Sequence, residues 1–139
     1  MNDNAENNQA AKDESKSSWV RKRFACSLPN VFNTLRLQVE EDVKARNELR
    51  PPNSPYEFSV GENVGEFTVF LKGKDLQSAV VFNLAEHAIA VSDDKGNQMF
   101  DVTLTFSDEG ECRLNVNEKQ CDFWQVRRMA LEEIMFRSN

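Results

Sequence analysis

The strongest constraint on this fold is the alternation of apolar and polar residues that fills most of the second half of the chain. Between residues 100 and 106 the apolar members are Phe100, Val102, Leu104 and Phe106. A period of two residues predicts a strand with one buried face. The pattern as a whole predicts strands at residues 56–60, 66–72, 78–84, 87–92, 98–106 and 111–116. The connections are too short for parallel crossovers, so we expect an antiparallel meander of five or six strands.

A helix is expected before the meander. Ser27 can cap its first turn, and Pro29 suits that turn because proline's missing N–H is not needed there. One apolar stripe follows at three- and four-residue steps, formed by Leu28, Phe32, Leu35, Val39 and Val43. Arg50 precedes Pro51, and a residue before proline leaves the α region, so the helix should end there.

A second, longer apolar face predicts a C-terminal helix over Asn117–Phe136. Asn117 or Asp122 can cap this helix, since each is followed three residues later by glutamine. A helix with so broad an apolar face fits packing on a sheet. The fold class is therefore α+β, with an N-terminal helix, the antiparallel meander and a long C-terminal helix, both helices packed on one sheet face.

The composition divides the chain into a tail and one domain. Residues 1–18 hold no large apolar residue after Met1, so they cannot bury enough surface to offset the entropy of ordering. We predict a disordered polar tail at 1–24, ending in a basic and aromatic segment, and a single domain at 25–139.

The cysteines and the lack of sorting signals indicate a compartment. Three cysteines are an odd number, and no CxxC spacing occurs. There is no apolar secretory h-region and no run long enough to span a membrane. We therefore expect a cytoplasmic protein with reduced cysteines, in which Cys112 on the inward face behaves as a small hydrophobe.

Charge is unevenly distributed along the chain. The net charge of −6 divides into −2 over residues 1–18, +3 over residues 19–24 and −7 over residues 25–139. An acidic domain is repelled by phosphate backbones, so no nucleic-acid partner is expected. Arg21, Lys22 and Arg23 are the candidates for contact with an anionic surface, but three charges attract a membrane only weakly without a lipid anchor. The alternative is a chain entry in which Trp19 or Phe24 docks on the domain.

No residue pattern predicts catalysis, a metal or a cofactor. His87 is the only histidine, and Glu86 beside it should point the opposite way on a strand. Cys121 has no histidine near it in sequence. Residues 93–97 are better read as a hairpin turn than as a calcium loop, because the alternating oxygens of an EF-hand are missing. We therefore predict no enzyme.

Two functions remain. The predicted outward face of the sheet is mostly polar, but Phe70, Val81, Ala88 and Ala90 lie on it and would be neighbours if the strands pair in order. An apolar patch on a solvent-exposed sheet face is typical of a protein contact. The first hypothesis is a binding or adaptor module with a protein partner or a second copy, acting through Phe70, Val81, Thr103 and Arg113.

The second hypothesis is a cup for an apolar small ligand between the sheet and the C-terminal helix. Ligand pockets are usually concave and apolar. Five residues would line this cup: Phe82, Phe100, Leu104, Trp124 and Leu131.

Overall fold

The computed structural model describes residues 18–73 and 77–136, which form three helices and seven strands. The helices are α1 (Trp19–Ala25), α2 (Leu28–Glu48) and α3 (Phe123–Phe136). The strands are β1 (Glu57–Asn63), β2 (Glu66–Lys72), β3 (Gln77–Leu84), β4 (Ile89–Asp93), β5 (Gln98–Phe106), β6 (Cys112–Val116) and β7 (Lys119–Cys121). The α+β class is confirmed, with helical segments before the sheet and one helix after it.

The strands form one antiparallel sheet in the order β1 to β7, so each strand pairs with its neighbour in sequence. Seven strands stand where five or six were predicted. The extra strand is β7, which turns back on β6 so that Val116 opposes Lys119. Asn117 and Glu118 between them both have positive φ, 52° and 66°, the geometry of a tight two-residue hairpin turn. The predicted helix start at Asn117 is therefore wrong.

The first turn of the sheet also differs from its prediction. The predicted strands at 56–60 and 66–72 leave residues 61–65 as their connection, yet Gly61 to Asn63 belong to β1. The chain reverses instead at Val64 and Gly65, where Gly65 has φ +70°, a backbone angle that glycine adopts at little cost. The longer strand places Gly61 directly opposite Thr68.

Both long helices begin at capping residues. The Ser27 hydroxyl accepts a hydrogen bond from the Asn30 N–H at 3.3 Å, and α2 then runs to Glu48, just before Pro51. At α3 the Gln125 side chain accepts from the Asp122 N–H at 2.8 Å. That is one half of a capping box, so of the two candidate caps the structure selects Asp122.

The N-terminal segment departs from the prediction of a disordered tail through residue 24. Residues Trp19–Ala25 form α1. The Lys22 N–H donates to the Ser18 carbonyl, which is the first hydrogen bond of this helix. The predicted disorder of residues 1–17 lies outside the described residues.

The core lies on one face of the sheet, beneath α2 and α3. Phe67 and Phe82 are fully buried there and stack at 4.5 Å between ring centroids, while Phe32 of α2 lies 5.1 Å from Phe67. Buried residues of α2, α3 and the inward positions of the strands form one cluster. Within the described residues, no helix packs on the other face of the sheet. We call it the open face.

Side-chain contacts also join the two long helices. Arg127 of α3 donates to Asp42 and Gln38 of α2, each at 2.7 Å. Arg46 of α2 donates to the Met135 carbonyl at 2.9 Å. None of the described helices is both long and apolar enough to cross a membrane.

A disulfide joins the α1–α2 junction to the start of β6. Cys26 and Cys112 are bonded, with their Cα atoms 5.3 Å apart. The expectation of reduced cysteines is therefore wrong for this pair, and Cys112 is exposed at the sheet's end and not a buried hydrophobe. Cys112 pairs with Phe106 at the end of the β5–β6 ladder. This position lies beside Cys26, where the chain enters α2. The prediction of a cytoplasmic location loses the support it took from reduced cysteines.

Candidate protein-binding face

The open face carries a small apolar patch where β1, β2, β3 and β4 meet. Its centre is Phe70, which opposes Ala79 across the β2–β3 ladder. In the next row Thr68 opposes Val81. Ala90 lies on the adjacent strand, diagonal to Val81, which itself opposes Ser92. We define the apolar patch as Gly61, Thr68, Phe70, Ala79, Val81 and Ala90.

The edge of the Phe70 ring closely approaches Gly61. A Cβ placed on Gly61 would come within 2.9 Å of the ring atom Cε2 of Phe70, a distance that side chains do not tolerate. Thr68, directly opposite Gly61, is only 8% exposed although it belongs to the open face. Gly61 therefore leaves the space that the Phe70 ring occupies, because a side chain at this position would collide with the ring.

The other two predicted partner-binding residues lie on the same face but away from the patch. Thr103 is exposed on β5 and opposes Asn115 of β6. β4 separates it from Val81, which puts it roughly 15 Å away at the usual strand spacing. Arg113 lies farther along β6 and faces Glu109 at 3.4 Å and Glu111 at 3.7 Å. The structure brings Phe70 and Val81 together, and it leaves Thr103 and Arg113 at the rim.

Charges of both signs lie on the open face. The strand positions that point outward include three carboxylates and two cations: Glu57, Glu66, Asp101, Lys72 and Arg113. Glu57 and Lys72 stand directly opposite each other. Glu109 and Glu111 also contact Arg113 at the end of this face, so carboxylates outnumber cations while both signs are present, and this suits a partner of mixed charge.

Sequence reasoning missed Gly61, Thr68 and Ala79 as members of the apolar patch. The pairing of Ala79 with Phe70 depends on strand register. Gly61 falls in the connection between the predicted strands at 56–60 and 66–72. Only the placement of the turn at Val64 and Gly65 shows that Gly61 faces Thr68.

The five predicted cup residues divide between the core and the surface. Phe82 and Phe100 flank Val91 on the inward face and are buried, as is Leu131. Leu104 is half-buried beside them. Trp124 is 52% exposed near the start of α3, where it lines an open groove of about 340 Å³ between α2 and α3 together with Leu131 and Leu49 among others. The groove therefore joins Trp124 to Leu131 at the surface, while Phe82 and Phe100 are buried in the core.

The basic segment is exposed on α1. Arg21, Lys22 and Arg23 all face solvent, and Arg23 also donates to the Cys26 carbonyl at 3.3 Å and lies 6.0 Å from the Phe106 ring. Neither aromatic residue of this segment docks on the domain, since Trp19 is 57% and Phe24 is 82% exposed.

The polar residues singled out for possible chemistry lie apart from one another. His87 is exposed in the β3–β4 turn, with its Nε2 atom 3.8 Å from Glu86, so the expectation that Glu86 points away is wrong. In the β4–β5 turn, hydrogen bonds from the backbone N–H groups of Asn97 and Lys95 lower the pKa of Asp93. Within the described ranges, no three potential ligands are close enough to hold a metal ion.

One carboxyl pair joins α2 to the edge strand β1. A hydrogen bond between Glu40 and Glu62 raises the pKa of Glu40 and lowers that of Glu62. Arg36 contacts Glu62 at 2.9 Å and Glu40 at 3.2 Å, and its hydrogen bond to Glu62 raises the pKa of the guanidinium. All three groups are at the surface, so we assign them to the packing of α2 on the sheet edge.

Comparison of the chain with family models, with curated proteins and with solved structures found no match.

Proposed function

We propose that this protein is a non-catalytic binding module that acts through the open face, and that a second copy of the chain is its partner. The observation that supports this proposal is the apolar patch around Phe70. It lies on a sheet face that no described helix covers, although two helices cover the other face. Contiguous apolar surface on an otherwise polar face is typical of protein interaction sites.

A symmetric dimer suits the charges of this face. In a two-fold interface the same surface contacts itself, so it must be complementary to its own copy. Two apolar patches can meet at the axis, while Lys72 or Arg113 of one copy approaches Glu66 or Asp101 of the other. A face of one sign would repel itself, whereas this one holds both signs.

The size of the face also fits a specific interface. Seven strands about 4.8 Å apart, with about six residues each at about 3.3 Å, give a face of roughly 700 Å². Stable interfaces of standard size bury about 800 Å² on each partner. Interfaces of that size range from micromolar to far tighter dissociation constants, so dimerisation should be measurable at ordinary concentrations.

Sedimentation velocity tests the proposal directly. The wild type should pass from monomer to dimer as its concentration rises from about 1 µM to about 500 µM, a range chosen for micromolar interfaces. Phe70→Asp should remain monomeric, because it would place an unpaired charge at the centre of the interface. The matched control is Leu37→Asp, which changes a 56% exposed leucine on the outer side of α2 and should dimerise like the wild type.

Circular dichroism separates loss of association from loss of fold. Phe70→Asp should keep the far-ultraviolet spectrum and the cooperative melting of the wild type, and Phe70→Ser serves in its place if it does not. A wild type that stays monomeric across the range, or a dimer that persists in a folded Phe70 variant, would contradict the proposal. The ligand cup is not proposed, because the exposure of Trp124 gives it no support.

A further inference from the structure

The short helix α1 presents apolar and positively charged side chains together at the surface. Its exposed apolar residues are Trp19 at 57%, Val20 at 59% and Phe24 at 82%, and no residue of α1 is buried among the described residues. Exposed aromatic residues in these numbers are costly to leave in water. Since the sheet domain does not cover them, they are available to something else.

Charge narrows what that partner can be. Arg21, Lys22 and Arg23 give α1 a charge of +3, whereas the net charge of the whole chain is −6, so the rest of the chain carries −9. The positive charge is confined to one short helix. An anionic partner would be attracted by α1 and repelled by the rest of the chain, so we expect it to contact α1 alone.

We propose that α1 binds the surface of an anionic phospholipid bilayer. Trp19 and Phe24 would enter the headgroup region, where aromatic rings are favoured, and Arg21 and Arg23 would contact lipid phosphates. A membrane needs only a small cluster of cations with apolar neighbours. A nucleic acid instead takes most of its affinity from an extended basic surface, which an acidic chain with three clustered cations does not offer.

The structure also shows how α1 is attached to the sheet domain. The disulfide at Cys26, directly after α1, fixes that end of the helix to Cys112 of β6. Arg23 adds contacts at the same end of α1, to the Cys26 carbonyl and to the Phe106 ring. Contact with a bilayer would therefore bring the domain to the surface without rearranging its core.

Binding through these residues should be weak and reversible. Each cation near an anionic membrane changes the affinity by about fivefold. With two partly inserted aromatic rings we expect an association constant on the order of 10⁴ M⁻¹, comparable to that of one acyl chain. Near 1 M salt the screening length is about 3 Å, so the charge-dependent part should disappear.

Two tryptophans of similar exposure allow a test that locates the contact. Trp124→Phe leaves Trp19 as the only tryptophan, and Trp19→Phe leaves Trp124, which is 52% exposed on α3. Emission is recorded with vesicles of phosphatidylserine and phosphatidylcholine, with vesicles of phosphatidylcholine alone, and with a DNA duplex. We expect a blue shift of Trp19 with the anionic vesicles only, and no shift of Trp124.

Two further variants test the roles of charge and of apolar contact. Arg21→Glu changes the helix charge by two, so it should weaken binding to anionic vesicles about 25-fold at about fivefold per charge. Phe24→Ser should weaken it while leaving its salt dependence unchanged. Phe70→Asp should bind vesicles like the wild type at concentrations where the wild type is monomeric, which makes this test independent of the proposed dimer.

Several results would overturn the proposal. These are an unchanged Trp19 emission, an equal shift with phosphatidylcholine alone, a shift at Trp124 in place of Trp19, and a response to DNA but not to vesicles. The last result would assign α1 to nucleic acid.

Discussion

Removal of the disulfide should cost this protein a large part of its stability. The bond between Cys26 and Cys112 closes a loop with a sequence separation of 86 residues. In the chain-entropy treatment, a loop of that length lowers the entropy of the unfolded state by about 15 cal/mol/K, which is about 4.6 kcal/mol at 25 °C. Domains are stable by only about 5–15 kcal/mol, so a Cys112→Ser variant should lose a third or more of its free energy of unfolding.

Urea denaturation of matched variants measures this loss. The oxidised wild type, Cys112→Ser, Cys26→Ser and Cys121→Ser are unfolded in the same buffer, and the midpoint and slope are fitted for each. Replacement of either cysteine of the disulfide should lower the free energy of unfolding by about 3–5 kcal/mol. Cys121 is a free cysteine and serves as the control, with a change below about 1 kcal/mol.

A reducing agent gives a second route to the same comparison. It should lower the stability of the wild type and of Cys121→Ser to the level of Cys112→Ser, and it should leave Cys112→Ser unchanged. If oxidised and reduced wild type unfold within about 1 kcal/mol of each other, the reasoning from loop closure is refuted for this chain. A thiol assay that counts three free cysteines in the untreated protein would refute the bond itself.

Three further perturbations have defined outcomes. Asn47→Ala removes both hydrogen bonds to the backbone of Phe58, at 2.8 and 2.9 Å, so urea denaturation should show a loss of about 2–3 kcal/mol, with a smaller loss in Asn47→Asp. Arg46→Ala removes the guanidinium that lies 5.5 Å from the Phe58 ring, and it should cost about 1–2 kcal/mol by the same assay, with Arg46→Lys between it and the wild type. Hydrogen bonds to Asn97 hold the pKa of Asp93 below its ordinary 3.8, so the stability this carboxylate adds is present above 3.8 and is lost as the pH falls through the lower, folded-state pKa. A carbon-detected NMR titration should give that lower pKa, and a value at or above 3.8 would contradict the turn geometry.

The sequence predicted the sheet well where a strand is long enough to show its period. β5 and β2 have nine and seven residues, and their alternation located them and assigned each side chain to a face. β7 has three residues, too few for any period. Its existence depends on the positive φ angles of Asn117 and Glu118, and glutamate gives no signal of that conformation.

The candidate site could be predicted in part for the same reason. The alternation of side chains along a strand placed Phe70 and Val81 on the open face, because alternation can be read from the sequence alone. Their neighbours depend on register, which the turns set. The turn at Val64 and Gly65 moved Gly61 into β1, and the absence of a side chain at Gly61 leaves room for the Phe70 ring.

The disulfide and the position of Trp124 could not be read from periodicity. Which cysteines pair depends on proximity in the folded chain, and the separation of Cys26 from Cys112 carries no spacing signal. Trp124 and Leu131 are seven residues apart and so lie on one side of α3, yet Leu131 is buried and Trp124 is 52% exposed. Helical periodicity shows which side of a helix a residue occupies, but not how far along the helix the neighbouring elements cover that side.

The proposal that the open face is a self-association surface is tested most directly by mapping that surface in solution. Amide resonances of the wild type are followed by NMR as the protein is diluted through the dimer–monomer range. We predict concentration-dependent shifts that cluster at Phe70, Val81 and their cross-strand neighbours, with smaller shifts at Thr103 and Arg113 and none on the outer side of α2 around Leu37. Spectra that do not change on dilution, or shifts that map to α1 or α2 and leave the open face unchanged, would contradict the account.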